Sequence, residues 1–424
     1  MQLRQRTVRF RWATGVAAIA LSSLVVSCGE GQGDGPASGV GDPGTSGTGG
    51  VTGSSGASMS SGASMTTGAS TTGAGGFGEC DPPSGDPAEA PAVTCVSGPV
   101  QDQGVIAVVG AGFGRTGPNV VLFDDFEKGT VGEPIQTGPG SAQVGQWDGL
   151  NTGIPRYGNE HRVSGSQAFK ADFTVNSEQQ AFSALPDATT EVFYSWWQFV
   201  PTGHHYPGEG NVDLLNWKVI WLLGDDSFAG GTGDDDILLA FLGDGSGPTA
   251  VFGGNCSVYT EGAIWPDVHT VKGEWKRLWV WDRGRTDATG AVRIWELRDT
   301  GVIQHVDESN VPTLPTSCGS DPRQWETVSF NGYGRLTPAP ADAFLDDFYM
   351  ATGPGAQARV EIGNAATYAG SSKLTIATPT AWADGSITAT VRQGGFSAGE
   401  QAYLFVFDAE GRSNADTGFP ITFQ

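Results

Sequence analysis

The chain has 424 residues, 65 of them Gly and 24 Pro, and its 46 acidic residues outnumber 23 basic ones to give a formal net charge of −23. An acidic excess of that size excludes nucleic acid as a partner for the molecule as a whole, because phosphate backbones are met by basic surfaces. The length allows more than one domain, and helical hydrophobic periodicity is absent throughout.

Residues 1–28 read as an export signal. Arg4, Arg6, Arg9 and Arg11 precede an apolar run from Ala17 to Val26 that is too short to span a bilayer. The run closes on Leu24-Val-Val-Ser-Cys28, which resembles a bacterial lipobox. The resemblance implies that Cys28 is the lipidated first residue of an exported protein held at the outer membrane or cell surface through lipid only; the other reading is an ordinary signal with an incidental cysteine. Cleavage there removes Arg4, Arg6, Arg9 and Arg11 and no acid, taking the charge from −23 to −27. Residues 29–79 are dominated by Gly, Ser, Thr and Ala, with near-repeats of Ser-Gly-Ala-Ser-Met. Such a stretch buries too little apolar surface to offset chain entropy and predicts a flexible tether with a reach of roughly 40 Å.

With Cys28 taken by lipid, Cys80, Cys95, Cys256 and Cys318 remain, an even number in an exported chain. Closeness of segment favours Cys80 with Cys95 and Cys256 with Cys318. Zinc competes for the same thiols, but no Cys-x-x-Cys or matching His spacing supports it.

The glycine-rich run from Gly104 to Gly117 suggests a dinucleotide-binding turn. That motif needs a helix to receive the pyrophosphate, and here Pro118 and the strand-like Asn119-Val-Val-Leu-Phe follow, so no nucleotide cofactor is expected. The stretch from Thr94 to Gly117 instead resembles the opening of an IPT/TIG immunoglobulin-like domain. Five short alternating runs that would complete such a domain appear only after residue 356. Residues 92–117 and 356–424 are therefore expected to be two pieces of one β-sandwich, with residues 118–353 inserted between them.

Residues 191–298 carry the longest strand signals, among them Glu191-Val-Phe-Tyr-Ser-Trp-Trp, Asn216-Trp-Lys-Val-Ile-Trp, Trp275-Lys-Arg-Leu-Trp-Val-Trp and Ala291-Val-Arg-Ile-Trp. Their order resembles the concanavalin A-like jelly roll, and within it the jelly-roll polysaccharide lyases and their lectin-like relatives. The resemblance implies an all-β fold: a jelly-roll sandwich beside the smaller immunoglobulin-like one. It also implies that the near-copies Leu122-Phe-Asp-Asp-Phe and Leu345-Asp-Asp-Phe lie side by side as first and last strands. Asp124, Asp125, Asp346 and Asp347 would then face a common Ca²⁺, the alternative being that each caps a turn.

Residues 272–298 hold seven basic residues against four acidic ones, a local reversal of sign. Period two places Arg277 and Trp279 on one face, and a Trp face with an Arg fork suits a sugar ring bearing carboxylate or sulfate. Arg277, Trp279, Trp217 and Arg335 are the candidate carbohydrate-binding residues, against the reading that the Trp side chains are core and the Arg side chains solvated edges. Resemblance to the lyases implies a catalytic set of His161, Arg162, Lys218 and Tyr333. A hydrolytic pair of Glu160 and Glu191 lacks the paired-carboxylate strand of glycosidases. His204-His205 and the acidic runs near Asp225 and Asp234 read as surface loops, while His269 and His305 carry no ligand pattern. The expected function is a surface-tethered lipoprotein that binds carbohydrate through its jelly roll; the alternatives are a lyase cleaving a uronate-containing glycan by β-elimination, and a structural envelope protein.

Overall fold

The computed structural model describes residues 90–424 except 152, 173–178, 204–205, 207–215, 225–236, 244–247, 255–267, 314–323, 331–333 and 336–341. Among the described residues every regular element is a strand. Two come first, β1 (Ala92–Ser97) and β2 (Val105–Ala111). The middle of the chain supplies β3 (Asn119–Asp124), β4 (Gly149–Leu150), β5 (Arg156–Gly158), β6 (Ala168–Asp172), β7 (Ala181–Thr189), β8 (Glu191–Phe199), β9 (Asn216–Leu223) and β10 (Ile237–Gly243). It continues with β11 (Pro248–Gly254), β12 (Trp275–Arg283), β13 (Gly290–Arg298), β14 (Gly301–Val311), β15 (Trp325–Phe330), β16 (Gly334–Arg335) and β17 (Asp342–Thr352). The last are β18 (Arg359–Gly363), β19 (Leu374–Ala383), β20 (Ser386–Val391), β21 (Gln401–Phe407) and β22 (Phe419–Thr422).

Three antiparallel sheets result. An eight-stranded sheet runs β14-β13-β12-β8-β17-β6-β5 with β3 added beside β17, so the two Asp-Asp strands are neighbours, Phe348 opposite Asp124. A second sheet runs β11-β10-β9-β15-β7-β4, with β16 added on β9. The third runs β1-β2-β20-β19-β18-β21-β22 and so joins residues 92–111 to residues 359–422. Its ends meet, since the Gln424 amide donates to the Val100 carbonyl at 2.8 Å.

Strand alternation decides how the layers stack. Along β12, Leu278 and Val280 point one way, into a core shared with Ile220, Leu222 and Val328 of the second sheet. Trp279 and Trp281 point the other way, into a separate core with Tyr368, Ile376, Phe405 and Phe407 of the third. The eight-stranded sheet is thus covered on both faces, which explains why β8 and β12 are buried along nearly their whole length, polar and charged residues included, rather than at alternate positions. Each fully buried aromatic contributes on the order of 1.5–3 kcal/mol relative to exposure. The third sheet keeps a core of its own around Ile106, Val108, Val360, Leu404 and Val406.

Cys95 on β1 is disulfide-bonded. Cys28, Cys80, Cys256 and Cys318 lie outside the described residues, as do the signal and linker segments.

Candidate functional site

The basic and aromatic strip expected to meet a glycan is buried under the third sheet. Arg277 and Trp279 do share one face of β12, but they are only 2 % and 0 % exposed. Arg277 Nη1 lies 2.8 Å from Glu361 Oε2 on β18, and its Nη2 donates to Ser195 Oγ at 3.1 Å. Glu361 also accepts from Arg359 Nε at 2.6 Å and Tyr368 Oη at 3.1 Å. Burial pushes that carboxyl up, but the two guanidiniums outweigh it and hold it below its ordinary range. Trp217 lies in the core between the first two sheets, 2 % exposed, its ring 6.0 Å from Tyr206. Arg277, Trp279 and Trp217 are therefore out of reach of a glycan: alternation tells which residues share a face, whereas a distant segment of chain decides whether that face is covered.

The expected catalytic set divides between two places. His161 stacks on Phe199 with centroids 3.9 Å apart and meets the edge of Phe344 at 4.9 Å. Both phenylalanines belong to the eight-stranded sheet, on the face turned from the core it shares with β9. Arg162 is spent on its own loop, donating to Gly165 O at 3.1 Å and Asn159 O at 3.2 Å. Lys218 is on β9 in the other sheet, its Nζ 4.0 Å from the Trp221 ring centroid. His161 and Lys218 thus stand on different sides of the sandwich and cannot act on one bond. Arg335 pairs with Asn216 and Gly334 with Trp217, which brings that segment's backbone beside Lys218. Tyr333 lies outside the described residues. Glu191 starts β8 and Phe199 ends it, roughly 26 Å apart at the rise of a strand, so Glu160, next to the residue stacked on Phe199, cannot pair with Glu191 as a hydrolase.

Around His161 a cleft of about 760 Å³ opens between the loop after β5 and the Arg392 to Phe396 turn after β20. Its apolar surface comes from Phe199, Trp275, His161 and Phe396, and its rim from Asp102, Asp125, Glu127, Glu160, Asp347, Arg162, Arg392 and Gln393. Carboxylates hold the β5–β6 loop in place. Glu127 accepts from the Ser166 amide at 2.8 Å and the Gln167 amide at 2.9 Å, and Asp346 accepts from the Val163 amide at 2.8 Å. A second groove of about 530 Å³, with Arg156, Tyr157 and Lys170, adjoins the cleft across Glu160, which lines both. Lys170 lies 2.5 Å from Glu160 and 3.3 Å from Asp342, so its charge is already matched. With Asp125 paired to Arg392 and burial favouring the neutral form of Asp347, Asp102, Glu127 and Glu160 against Arg162 still leave the cleft acidic and unfavourable to a polyanion, while aromatic rings beside carboxylate acceptors suit the ring and hydroxyls of a neutral sugar.

The four aspartates expected to hold Ca²⁺ do not fit that ion as a quartet. Asp124 accepts from Trp147 Nε1 at 2.6 Å and the Phe126 amide at 2.8 Å. Asp346 is taken by the Val163, Ser164 and Asp347 amides. Asp125 pairs with Arg392 Nη1 at 2.9 Å, and Asp347 accepts from Ser164 Oγ at 3.0 Å. Hydrogen-bond donors and a guanidinium thus occupy oxygens that a hard cation would need. Burial instead raises these carboxyls, Asp124 to about 7, and Asp347 to about 7 with help from the neighbouring Asp125 charge.

Asp347 gives a signed test. A carboxyl raised in the folded state contributes stability that is complete below its unfolded value near 3.8 and lost as pH rises through about 7. Asp347→Asn removes the charge, keeps an acceptor for Ser164, and suits the backbone φ of 46°. Urea midpoints should show the variant more stable than the parent at pH 8, by on the order of 1–4 kcal/mol, and equal to it at pH 4. Equal midpoints at both pH values would show that the group is ionised without cost.

The sequence did not single out Phe199 or Phe396 for this cleft, nor Trp275 as part of it. They come from three separate segments, and only the folded chain collects them.

No protein-family model matches the chain, and no curated protein does. Among solved structures, an endo-β-1,4-glucuronan lyase from the fungus Trichoderma reesei is similar at 16% identity, covering 53% of this chain and 96% of that one, with a TM-score of 0.36. An alginate lyase from a Chlorella virus is similar at 15% identity over 49% of this chain and 93% of its own, TM-score 0.31. An alginate lyase from Aplysia kurodai is similar at 10% identity over 53% and 100%, TM-score 0.34. Similarity at this level assigns no residue a role.

Proposed function

We propose that this is a surface-tethered lipoprotein, lipidated at Cys28, that binds neutral carbohydrate in the cleft around His161, Phe199 and Trp275. In this reading β3 to β17 form a jelly roll, and the sheet built from residues 92–111 and 359–422 is an IPT/TIG-like module that forms one wall of the cleft. One observation carries the proposal: at the edge of the region covered by the third sheet, the partly exposed rings of His161 and Trp275 flank the buried Phe199 and line the cleft, with His161 3.9 Å from Phe199 and Phe199 5.5 Å from Trp275. Partly exposed aromatic edges beside hydrogen-bonding carboxylates suit the faces and hydroxyls of a pyranose ring. The adjoining groove across Glu160 gives room for a chain of sugars rather than one.

The test is a glycan array probed with the exported protein, followed by titration of the best neutral ligand. Trp275→Ala should weaken binding about 10-fold, the loss of roughly 1.4 kcal/mol of stacking, and His161→Ala should weaken it similarly. Folded protein that retains no glycan, or binding indifferent to both substitutions, overturns the proposal.

A second reading, lyase action on an acidic glycan, is favoured by one feature on the other side of the sandwich. Lys218 stands over Trp221 on the outer side of β9, offering a cation where β-elimination must neutralise a uronate. Ultraviolet absorbance from the new double bond on alginate, glucuronan or pectate, abolished by Lys218→Ala, would establish it. No rise on any of them removes it.

A further inference from the structure

We propose that His269, Glu296 and His305 form a binding site for a divalent transition metal of the zinc class. Along β13, Val292 and Ile294 face the core between the first two sheets, and Glu296 shares their side. Its side chain is 0 % exposed. On the neighbouring strand β14 the register slips opposite Ile294 and Trp295, since Ile294 pairs with Val306 and Trp295 with Gln304. This bulge turns His305 to the same side as Val306, its neighbour in sequence, and toward Glu296. His269 arrives from the segment before β12, where Lys276 Nζ donates to its carbonyl and fixes it.

The outcome is a compact donor set. His269 Nδ1 and His305 Nε2 each lie 2.8 Å from Glu296 Oε2, and the three ligand atoms fall within 4.8 Å of one another. Metal bonds of about 2.0–2.2 Å place neighbouring ligand atoms about 3.3–3.6 Å apart, so a small outward shift of the imidazoles admits an ion. An independent observation points the same way: Glu296 Oε1 is buried and has no hydrogen-bond partner. Oε2 collects both imidazoles and the His269 amide, while Oε1, although the Lys276 charge is nearby, makes no hydrogen bond, and a cation held between the three side chains would give the carboxylate the partner it lacks. Two imidazoles and one carboxylate select zinc-like ions over Ca²⁺ or Mg²⁺, which prefer oxygen alone. His305 is nearly buried, whereas the His269 side chain is 41 % exposed, so a fourth position opens to water on the His269 side.

The experiment uses the purified exported protein stripped with chelator and dialysed, then titrated with Zn²⁺ by calorimetry and with Co²⁺ by visible absorption. One ion per chain and an intense tetrahedral Co²⁺ band are expected. His269→Ala, at a half-exposed position, should keep the fold and lower affinity at least 100-fold; His305→Gln, which keeps much of the volume, should do the same. Folded parent protein that takes up neither ion stoichiometrically overturns the proposal. So does uptake that both variants retain, which would locate the ion elsewhere.

Discussion

Replacing Glu361 by alanine should lower the urea midpoint by an amount equivalent to ~3–5 kcal/mol, the cost of leaving buried charges without their partner. Arg277 and Arg359 both point at this carboxylate from fully covered positions, at 2.8 Å and 2.6 Å. Their guanidiniums also lie against aromatic rings, Arg277 5.0 Å from Trp279 and Arg359 3.7 Å from Phe407, so a water entering the space would supply no compensating charge. Arg277→Ala should destabilise as well, yet leave glycan affinity unchanged, because the residue faces the third sheet and not the cleft. The group's pH dependence has the opposite sign to that of Asp347. Its folded value is depressed, so its stabilisation is present above an ordinary 4.5 and lost as pH falls through the lower folded value. A Glu361→Ala midpoint within error of the parent would mean that the two arginines find other partners. Replacing Arg277, Arg359 and Glu361 together by apolar residues should recover much of the loss, since a buried ion network is specific rather than intrinsically stabilising.

A fragment comprising residues 118–353 should aggregate, and so should one comprising residues 90–353. In both, loss of β18 to β22 bares the outer face of the eight-stranded sheet, where Phe193, Trp197, Trp279, Trp281 and Tyr349 are now covered. Aromatic side chains of this kind bury about 150–250 Å² each, giving a patch on the order of 1000 Å², beyond the few hundred Å² that soluble monomers expose. A jelly roll that covered its own core would give a different result, with the 118–353 fragment soluble and only the 90–353 fragment, with its β1–β2 edge unpaired, prone to aggregate. Light scattering after size exclusion separates the two expectations: a monodisperse 118–353 fragment would show that the shared aromatic core is dispensable.

Both expectations turn on where the chain's own evidence stops. Period-two alternation is a local property of the backbone, and it was enough to find the longest strands and to place Arg277 and Trp279 on one face, whereas the pairing of the two Asp-Asp segments was implied by the resemblance of the strand order to a jelly roll. Covering of a face is not local. Arg277 is buried because Glu361, 84 residues away, lies on a strand of another sheet, and nothing in Gly-Glu-Trp-Lys-Arg-Leu-Trp distinguishes a strand that meets solvent from one that meets a second layer. The Ca²⁺ quartet is a related case: β3 and β17 do lie together, but Asp124 and Asp346 spend oxygens on Trp147 and on the Val163 amide, donors that come from other loops. His305 was unreadable as a partner of Glu296 because a one-residue slip in β14 reverses the face that alternation assigns, and such a slip is set by pairing across strands. Sequence by itself determined the all-β character and the alternating faces of the longest strands; the tertiary structure alone decided the strand order and which polar and aromatic residues remain at the surface, because burial is fixed by the contacts of distant segments and not by the residues that are buried.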